Sequence, residues 1–249
     1  MTTSAYYDHI ADSYDQSIQL MPVRQFVEVP SVLRMLGDVR GQRVLDLACG
    51  TGFYSRTCRR AGAAEVIGVD LSSEMLRAAE EIEKATALGI TFRQADATQL
   101  PDLGTFDVVL AVYLLHYAPS LDALKAMCQG IARHLKPGGR LVSFVLNPNL
   151  APDPTYYREY GLVHHEAEVR KDGQALQATI QIGDLVLPGL TVHRWEQATI
   201  EGALRDAGLT AVQFQPPEAS PQGIEKHGAA YFDAYLRKPH CVLLQATRG

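Results

Sequence analysis

Long hydrophobic stretches are missing from this chain. Its longest apolar run, Val108–Leu115, is far too short to cross a bilayer, which excludes a membrane-spanning helix. Blocks of Lys and Arg are missing too. With a net charge of −5 and the cations scattered, no basic face is expected, and that argues against DNA or RNA as a partner. The four cysteines, Cys49, Cys58, Cys128 and Cys241, lie far apart and form no Cys-x-x-Cys pair, so disulfide and zinc frameworks are not expected. No other cluster has metal-ligand spacing, and no metal is expected. The early residues carry Asp8, Asp12 and Asp15 in place of a basic start and an apolar stretch, so no signal peptide is read and the cytoplasm is the expected compartment. Repeats and low-complexity segments are absent. What remains is the composition of a soluble globular protein: 249 residues, 47% hydrophobic and 20% charged, enough for one domain with an elaboration.

Residues 44–55 carry the most information: Val-Leu-Asp-Leu-Ala-Cys-Gly-Thr-Gly-Phe-Tyr-Ser. An apolar run ends in Asp46, and a short loop follows with Gly50 and Gly52. Such a loop lets backbone N–H groups approach a ligand where a strand hands over to a helix. A second apolar run, Val66-Ile67-Gly68-Val69, ends in Asp70, about 20 residues on, where a ribose-binding carboxylate is expected. Loop and acid together read as an adenosine-binding half-fold. Ser55 stands where a dinucleotide fingerprint needs its third glycine, which argues against a nicotinamide oxidoreductase. Cys49, inside the loop, reads as a small filler.

Strand and helix patterns alternate from about residue 42 to 146, as in a parallel sheet with helices on both faces. Strands are read at 42–47, 65–69, 90–94, 106–112 and 140–146, and helices near 52–61, 72–87 and 121–135. Ser72 and Ser73 can cap the second helix, and Pro137-Gly138-Gly139 stops the third. After a proline-rich break at 147–154 comes a hairpin turning at Asp172-Gly173, with strands near 163–170 and 175–182 and an extended piece to Trp195. A helix at 196–207, a strand at 210–214, a helix at 225–236 and a strand at 241–247 complete the chain. The expected fold is α/β: a Rossmann-like, doubly wound, seven-stranded sheet, a small antiparallel β cap inserted after strand five, and an N-terminal helical lid. The expected division is 1–36 lid, 37–146 cofactor-binding core, 147–195 substrate cap and 196–249 remainder of the core sheet.

The loop and the landmarks after it resemble the class I S-adenosylmethionine-dependent methyltransferases. The landmarks are Asp70, Gln94-Ala95-Asp96-Ala97, Phe106-Asp107-Val108-Val109 and Leu135-Lys136-Pro137-Gly138-Gly139-Arg140-Leu141-Val142, in that order. Ala48 departs from the pattern, where many members carry glycine. The resemblance implies S-adenosylmethionine as cofactor, held by Asp46, Ala48, Gly50, Gly52, Asp70, Leu71, Asp96, Ala97 and Tyr113. Asp70 would take both ribose hydroxyls, or cap the following helix. Asp96 would accept from the adenine amino group, with the Ala97 N–H meeting the ring, or form a plain turn. Asp46 would order the loop, bind the cofactor's amino group, or only cap loop amides. Tyr7 to Asp15 repeats a Tyr-Asp-x-x-Ala-x-x-Tyr-Asp pattern of small-molecule members, whose helix closes over the cofactor and presents Tyr14. Arg24 is the nearest cation for the methionine carboxylate, with a surface position as the alternative.

By the same resemblance Tyr113-Leu114-Leu115-His116-Tyr117 lies beside the acceptor. His116 could orient or deprotonate it, or be a hydrogen-bonded wall residue. Tyr7, Tyr117, Tyr156, His164, His193 and Trp195 are the acceptor-binding candidates; the dense aromatics and imidazoles of the cap suit a planar, partly apolar substrate, against plain cap packing. The expected reaction is methyl transfer to N or O of a small planar metabolite of specialised metabolism. A carbon acceptor and a non-catalytic cofactor-binding protein stay open, as does pairing with a second copy of the chain. Residues 35–39, the glycine loop and 63–70 resemble N-methyltransferases of toxoflavin synthesis.

Overall fold

The computed structural model describes residues 19–165, 170–182 and 185–249. Strands β1 (Arg43–Leu47), β2 (Glu65–Asp70), β3 (Thr91–Gln94), β4 (Phe106–Val112) and β5 (Leu135–Leu146) come first in the chain. Next come β6 (Leu162–His165), β7 (Gln174–Ile182) and β8 (Leu185–Arg194), then β9 (Leu209–Gln215) and β10 (Cys241–Arg248). Seven of them form one sheet in the order β3-β2-β1-β4-β5-β10-β9. β1 to β5 pair in parallel, whereas β10 runs antiparallel to both β5 and β9. The cap is the separate antiparallel sheet β6-β7-β8.

Helices cover both faces: α1 (Val29–Leu36), α2 (Phe53–Arg60), α3 (Ser73–Thr86), α4 (Leu121–His134), α5 (Gln197–Asp206), α6 (Pro221–His227) and α7 (Ala229–Arg237). Successive strand residues point to opposite faces, so two cores result. Val44, Val66, Val108 and Val142 join one, whereas Leu45, Val109, Leu141 and Ile200 join the other. That is why Val44-Leu45 in β1 and Val108–Val112 in β4 read as consecutive apolar residues instead of alternating ones. The described residues include no helix long and apolar enough to cross a membrane.

Local chemistry sets the element ends. Ser72 Oγ accepts from Met75 N–H at 3.1 Å and caps α3; Ser120 Oγ does the same for α4 through Ala123 N–H at 3.2 Å. Pro30 cannot donate to Phe26, and the freed Phe26 carbonyl accepts from Ser220 N–H at 2.7 Å. Just before α1 the chain widens into a π-helical turn, Arg24–Glu28, closed by Val29 N–H on the Arg24 carbonyl. This turn belongs to the expected lid; residues 1–18, with Tyr7 and Tyr14, lie outside the described residues.

Two element expectations need correction. β5 begins at Leu135, ahead of the expected 140, and its pairing with β4 jumps from Phe106↔Leu135 to Val108↔Arg140. Residues 136–139 form the resulting bulge, where a Cβ on Gly139 would come within 2.9 Å of the Lys136 carbonyl and 3.1 Å of the Phe106 carbonyl. The helix expected over 225–236 is two helices, α6 and α7. They divide at Gly228, whose φ of +81° and ψ of 148° suit only glycine. The first cap strand, expected near 163–170, is assigned as β6 over Leu162–His165, paired with β7, and residues 166–169 lie outside the described residues.

Candidate active site

The loop between β1 and α2 turns through left-handed backbone at three positions: Ala48 (φ +56°), Gly50 (φ +53°) and Gly52 (φ +82°). Asp70, at the end of neighbouring β2, braces it. Its Oδ2 accepts from Gly50 N–H at 2.8 Å, and its Oδ1 from Ser72 N–H at 2.9 Å. The helix cap is therefore Ser72, and Asp70 keeps acceptor capacity towards the crevice. Asp46, buried at the end of β1, accepts from Ser55 Oγ at 2.6 Å. Burial pushes Asp46 up to about 7, with Asp70 adding and Ser55 opposing. Burial likewise holds the Cys49 thiol well above its ordinary range, in keeping with a filler. After β3, Asp96 is exposed and its Oδ1 accepts from both Thr98 N–H and Thr98 Oγ–H at 2.8 Å. Ala97 is half-buried beside it and Leu71 is exposed.

The two loop glycines differ. A Cβ on Gly52 would lie 2.8 Å from the Phe92 ring, so that glycine is required by packing and by its positive φ. A Cβ on Gly50 would meet nothing nearer than Met75 Sδ at 4.0 Å. Gly50 thus faces open space next to the Asp70 carboxylate.

Beyond this loop a cavity lies between lid, sheet and cap, with about 540 Å³ of space counted out to its mouth. Among the described residues, the lid contributes Met21, Arg24 and Glu28; the chain after β4 contributes Tyr113, His116 and Tyr117. The cap contributes Leu162, His164, Ala178, Ile180, Leu190 and Val192, and Leu146, His240 and Cys241 close it. The cap's share of the lining is aliphatic apart from His164, and Arg24, Glu28, Tyr113, His116, Tyr117 and His240 supply the other polar groups.

Tyr113, held at φ +59°, donates its phenol proton to Glu28 Oε2. Tyr235 donates to Glu28 Oε1 at 3.1 Å, and Arg24 Nε lies 3.7 Å from Oε2 with its guanidinium 5.5 Å from the Tyr113 ring centre. Burial raises the Glu28 carboxyl, while Arg24, Tyr113 and Tyr235 act the other way. His116 Nδ1 accepts from Leu146 N–H at 3.2 Å. Burial pushes its pKa down to about 3, and the neighbouring His240, His193 and His164 lower it further.

A methyltransferase-domain family matches residues 44–139. The ubiquinone biosynthesis O-methyltransferase of Methylococcus capsulatus is 35% identical over 204 residues, spanning 81% of this chain and 79% of its own. The demethylmenaquinone methyltransferase of Lactococcus lactis is 28% identical, spanning 94% of this chain and 89% of its own. A crystal structure of an S-adenosylmethionine-dependent methyltransferase from Mesorhizobium loti superposes with a TM-score of 0.65 at 25% identity, covering 89% of this chain and 97% of that one. The chain belongs to the class I S-adenosylmethionine-dependent methyltransferases. Its cofactor is S-adenosylmethionine, and the open face of Gly50 beside Asp70 fits an adenosine group.

The methyltransferase fold brings many of the sequence candidates together. Arg24, Tyr113, His116, Tyr117 and His164 share the cavity, whereas Asp46, Ala48, Gly50, Gly52 and Asp70 form the loop site. Three cap candidates do not line the cavity among its described residues. His193 stands behind it, bonded to the His116 backbone. Tyr156 donates to the Ala234 carbonyl at 2.5 Å, tying the cap to α7. Trp195 is buried, donates to the Ala118 carbonyl at 3.2 Å and packs on Gly173. Sequence reasoning missed Glu28, Tyr235 and His240. The signal for His240 is its place just before β10: because that strand is antiparallel, Cys241 pairs with Leu146, so the start of β10 lies at the crevice edge.

Proposed function

We propose that this methyltransferase transfers the methyl group of S-adenosylmethionine to nitrogen or oxygen of a small planar metabolite bound in the cavity. The cavity itself carries the reading: it has aliphatic cap walls for a flat ring and a polar end holding His116, Glu28 and His240. Two relatives support a ring substrate by name, a ubiquinone biosynthesis O-methyltransferase and a demethylmenaquinone methyltransferase. The likeness of residues 35–39 and 63–70 to toxoflavin-pathway N-methyltransferases favours including nitrogen heterocycles.

In this reading Asp70 takes the ribose hydroxyls and Asp96, Ala97 and Leu71 meet the adenine. Asp46 and the loop of Ala48, Gly50 and Gly52 hold the amino-acid end, with Arg24 and Tyr113 at the border with the acceptor. The sulfonium supplies an electrophilic methyl, so the protein's work is alignment and exclusion of water, worth about 7–11 kcal/mol in well-oriented systems. His116 orients the acceptor. With Nδ1 taken by Leu146, its neutral ring carries the proton on Nε2 and donates into the cavity. The protein works in the cytoplasm on free metabolites.

The test is transfer of tritium from labelled S-adenosylmethionine to a panel of phenols, lactams and heteroaromatic amines, with Ala178→Phe as control. Ala178 is buried on the cavity wall. A ring there should block methylation and leave adenosylhomocysteine affinity intact. Undiminished methylation by the folded variant would place the acceptor elsewhere.

A further inference from the structure

His240 Nδ1 lies 2.9 Å from Tyr235 Oη and 3.7 Å from Glu28 Oε1. A phenol has one proton, and Tyr235 gives it to Glu28. With Glu28 ionised, the Tyr235 oxygen accepts from His240, which assigns the ring proton to Nδ1. Nε2 is left with a lone pair, on a ring that lines the cavity. His116 is the reverse case, because its Nδ1 accepts from Leu146 and its Nε2 carries the proton. One cavity thus holds an imidazole acceptor and an imidazole donor.

We propose that His240 takes the proton of the methyl acceptor, that Tyr235 and Glu28 pass it on, and that the acceptor is a ring bearing a carbonyl or ring nitrogen beside the N–H or O–H to be methylated. This rests on the cavity being the acceptor site. The X–H proton moves to His240 Nε2, the Nδ1 proton to Tyr235 Oη, and the Tyr235 proton to Glu28 Oε1. The electron pair of the X–H bond stays on X and forms the X–CH₃ bond. The S–CH₃ bond breaks with its pair on sulfur, and adenosylhomocysteine is left. The imidazole ends neutral, Glu28 ends as the neutral acid, and it returns the proton to water after product release.

Burial favours this division. It holds His240 down to about 3, so the ring is no resting place for charge, and it raises Glu28, which makes a stronger final base. The groups facing His240 come from every side: Arg24 and Glu28 from the lid, Tyr113 and His116 after β4, Tyr157 and His164 from the cap, and Tyr235 from α7. Arg24 opposes a charge on His240. Tyr235 and Glu28 act through His240, and His240 is the group that takes the acceptor's proton.

Nitrogen-15 spectra of the histidine rings, recorded on the whole protein with adenosylhomocysteine, test the proposal without a known acceptor. Across about pH 5 to 8 His240 should be neutral and protonated at Nδ1, and His116 neutral and protonated at Nε2. Tyr235→Phe should move the His240 proton to Nε2 and leave His116 unchanged. A wild-type His240 protonated at Nε2, or one unmoved by Tyr235→Phe, overturns the relay. With 2-quinolone, 4-hydroxyquinoline and uracil as methyl acceptors, His240→Ala should lower kcat about 100-fold with KM for S-adenosylmethionine unchanged, and Glu28→Gln should flatten the acidic limb of the rate profile. Full activity in His240→Ala also overturns it. If no panel member is methylated at intact adenosylhomocysteine affinity, the acceptor class fails and the ring protonation still decides the relay.

Discussion

Ser55 Oγ donates to Asp46 Oδ2 at 2.6 Å, tying the end of β1 to the first turn of α2 beneath the glycine loop. A dinucleotide fold keeps a glycine at the position of Ser55 so that helix and strand can pack closely. Here the hydroxyl makes that joint a polar one, and the carboxylate it holds is buried and close to Asp70.

The first prediction follows from that burial. The Asp46 value is about 7 in the folded protein against 3.8 for the free group, so the folded state holds this proton more tightly. The contribution to stability is fully present below the unfolded value and is lost as pH rises through the folded one, by up to about 4 kcal/mol. Asp46→Asn keeps an oxygen for Ser55 but cannot ionise. In urea unfolding without cofactor, wild type should lose stability relative to Asp46→Asn between about pH 4 and 7, then run parallel to it. Parallel curves throughout would mean that Asp46 titrates normally.

Asp70→Ala should weaken adenosylhomocysteine binding by about 2–4 kcal/mol, because charge-assisted bonds to ribose are lost without replacement. The same change removes the acceptors of Gly50 N–H and Ser72 N–H, so the melting temperature should fall as well. Asp70→Asn retains one oxygen and separates the two effects, keeping more of the stability than of the affinity. Calorimetry and thermal melts on both variants are the measurements. Affinity unchanged in a folded Asp70→Ala protein removes the ribose role.

Gly50 and Gly52 should fail differently when substituted. Gly52→Val forces a branched side chain into Phe92 at 2.8 Å and into a backbone with φ +82°, so it should destabilise the fold itself. Gly50→Ala meets open space and costs only the left-handed backbone, about 1–2 kcal/mol, yet places a methyl where the cofactor approaches. Denaturation should single out Gly52→Val, and adenosylhomocysteine binding should be lost in a folded Gly50→Ala. Comparable stability for the two variants contradicts the packing argument.

The sequence made the loop site legible because its chemistry is local. Asp46 and Asp70 sit at strand ends, Gly50 and Gly52 in the short loop after the first of them, and hydrophobic periodicity marks strand ends well. The cavity was legible only in part. His116 and Tyr117 follow β4 directly, but Glu28, Tyr235 and His240 meet across 207 residues of chain between Glu28 and Tyr235. No periodicity reports such a meeting. The antiparallel direction of β10 decides where His240 lies, and an apolar strand reads the same in either direction. Trp195 and Tyr156 look like substrate aromatics by composition, yet each spends its polar atom on a backbone carbonyl that anchors the cap.

His116 gives the last prediction. Burial holds it near 3, and the Leu146 N–H occupies its Nδ1, so it stays neutral through the working range and donates from Nε2. A residue that only orients the acceptor contributes at every pH and leaves no ionisation in the rate profile. His116→Ala should therefore lower kcat by about 10- to 100-fold at all values from pH 5 to 9, with the acidic limb kept in place and cofactor affinity nearly intact. His116→Gln can still donate to the acceptor from its amide and should recover part of the rate. The measurement is a pH–rate profile for each variant with a methylated acceptor. If the acidic limb disappears in His116→Ala, the imidazole is a base after all, and the Leu146 contact must break during turnover. If the limb persists while the rate falls, orientation by His116 and proton removal by a different group are separate contributions to the same transfer.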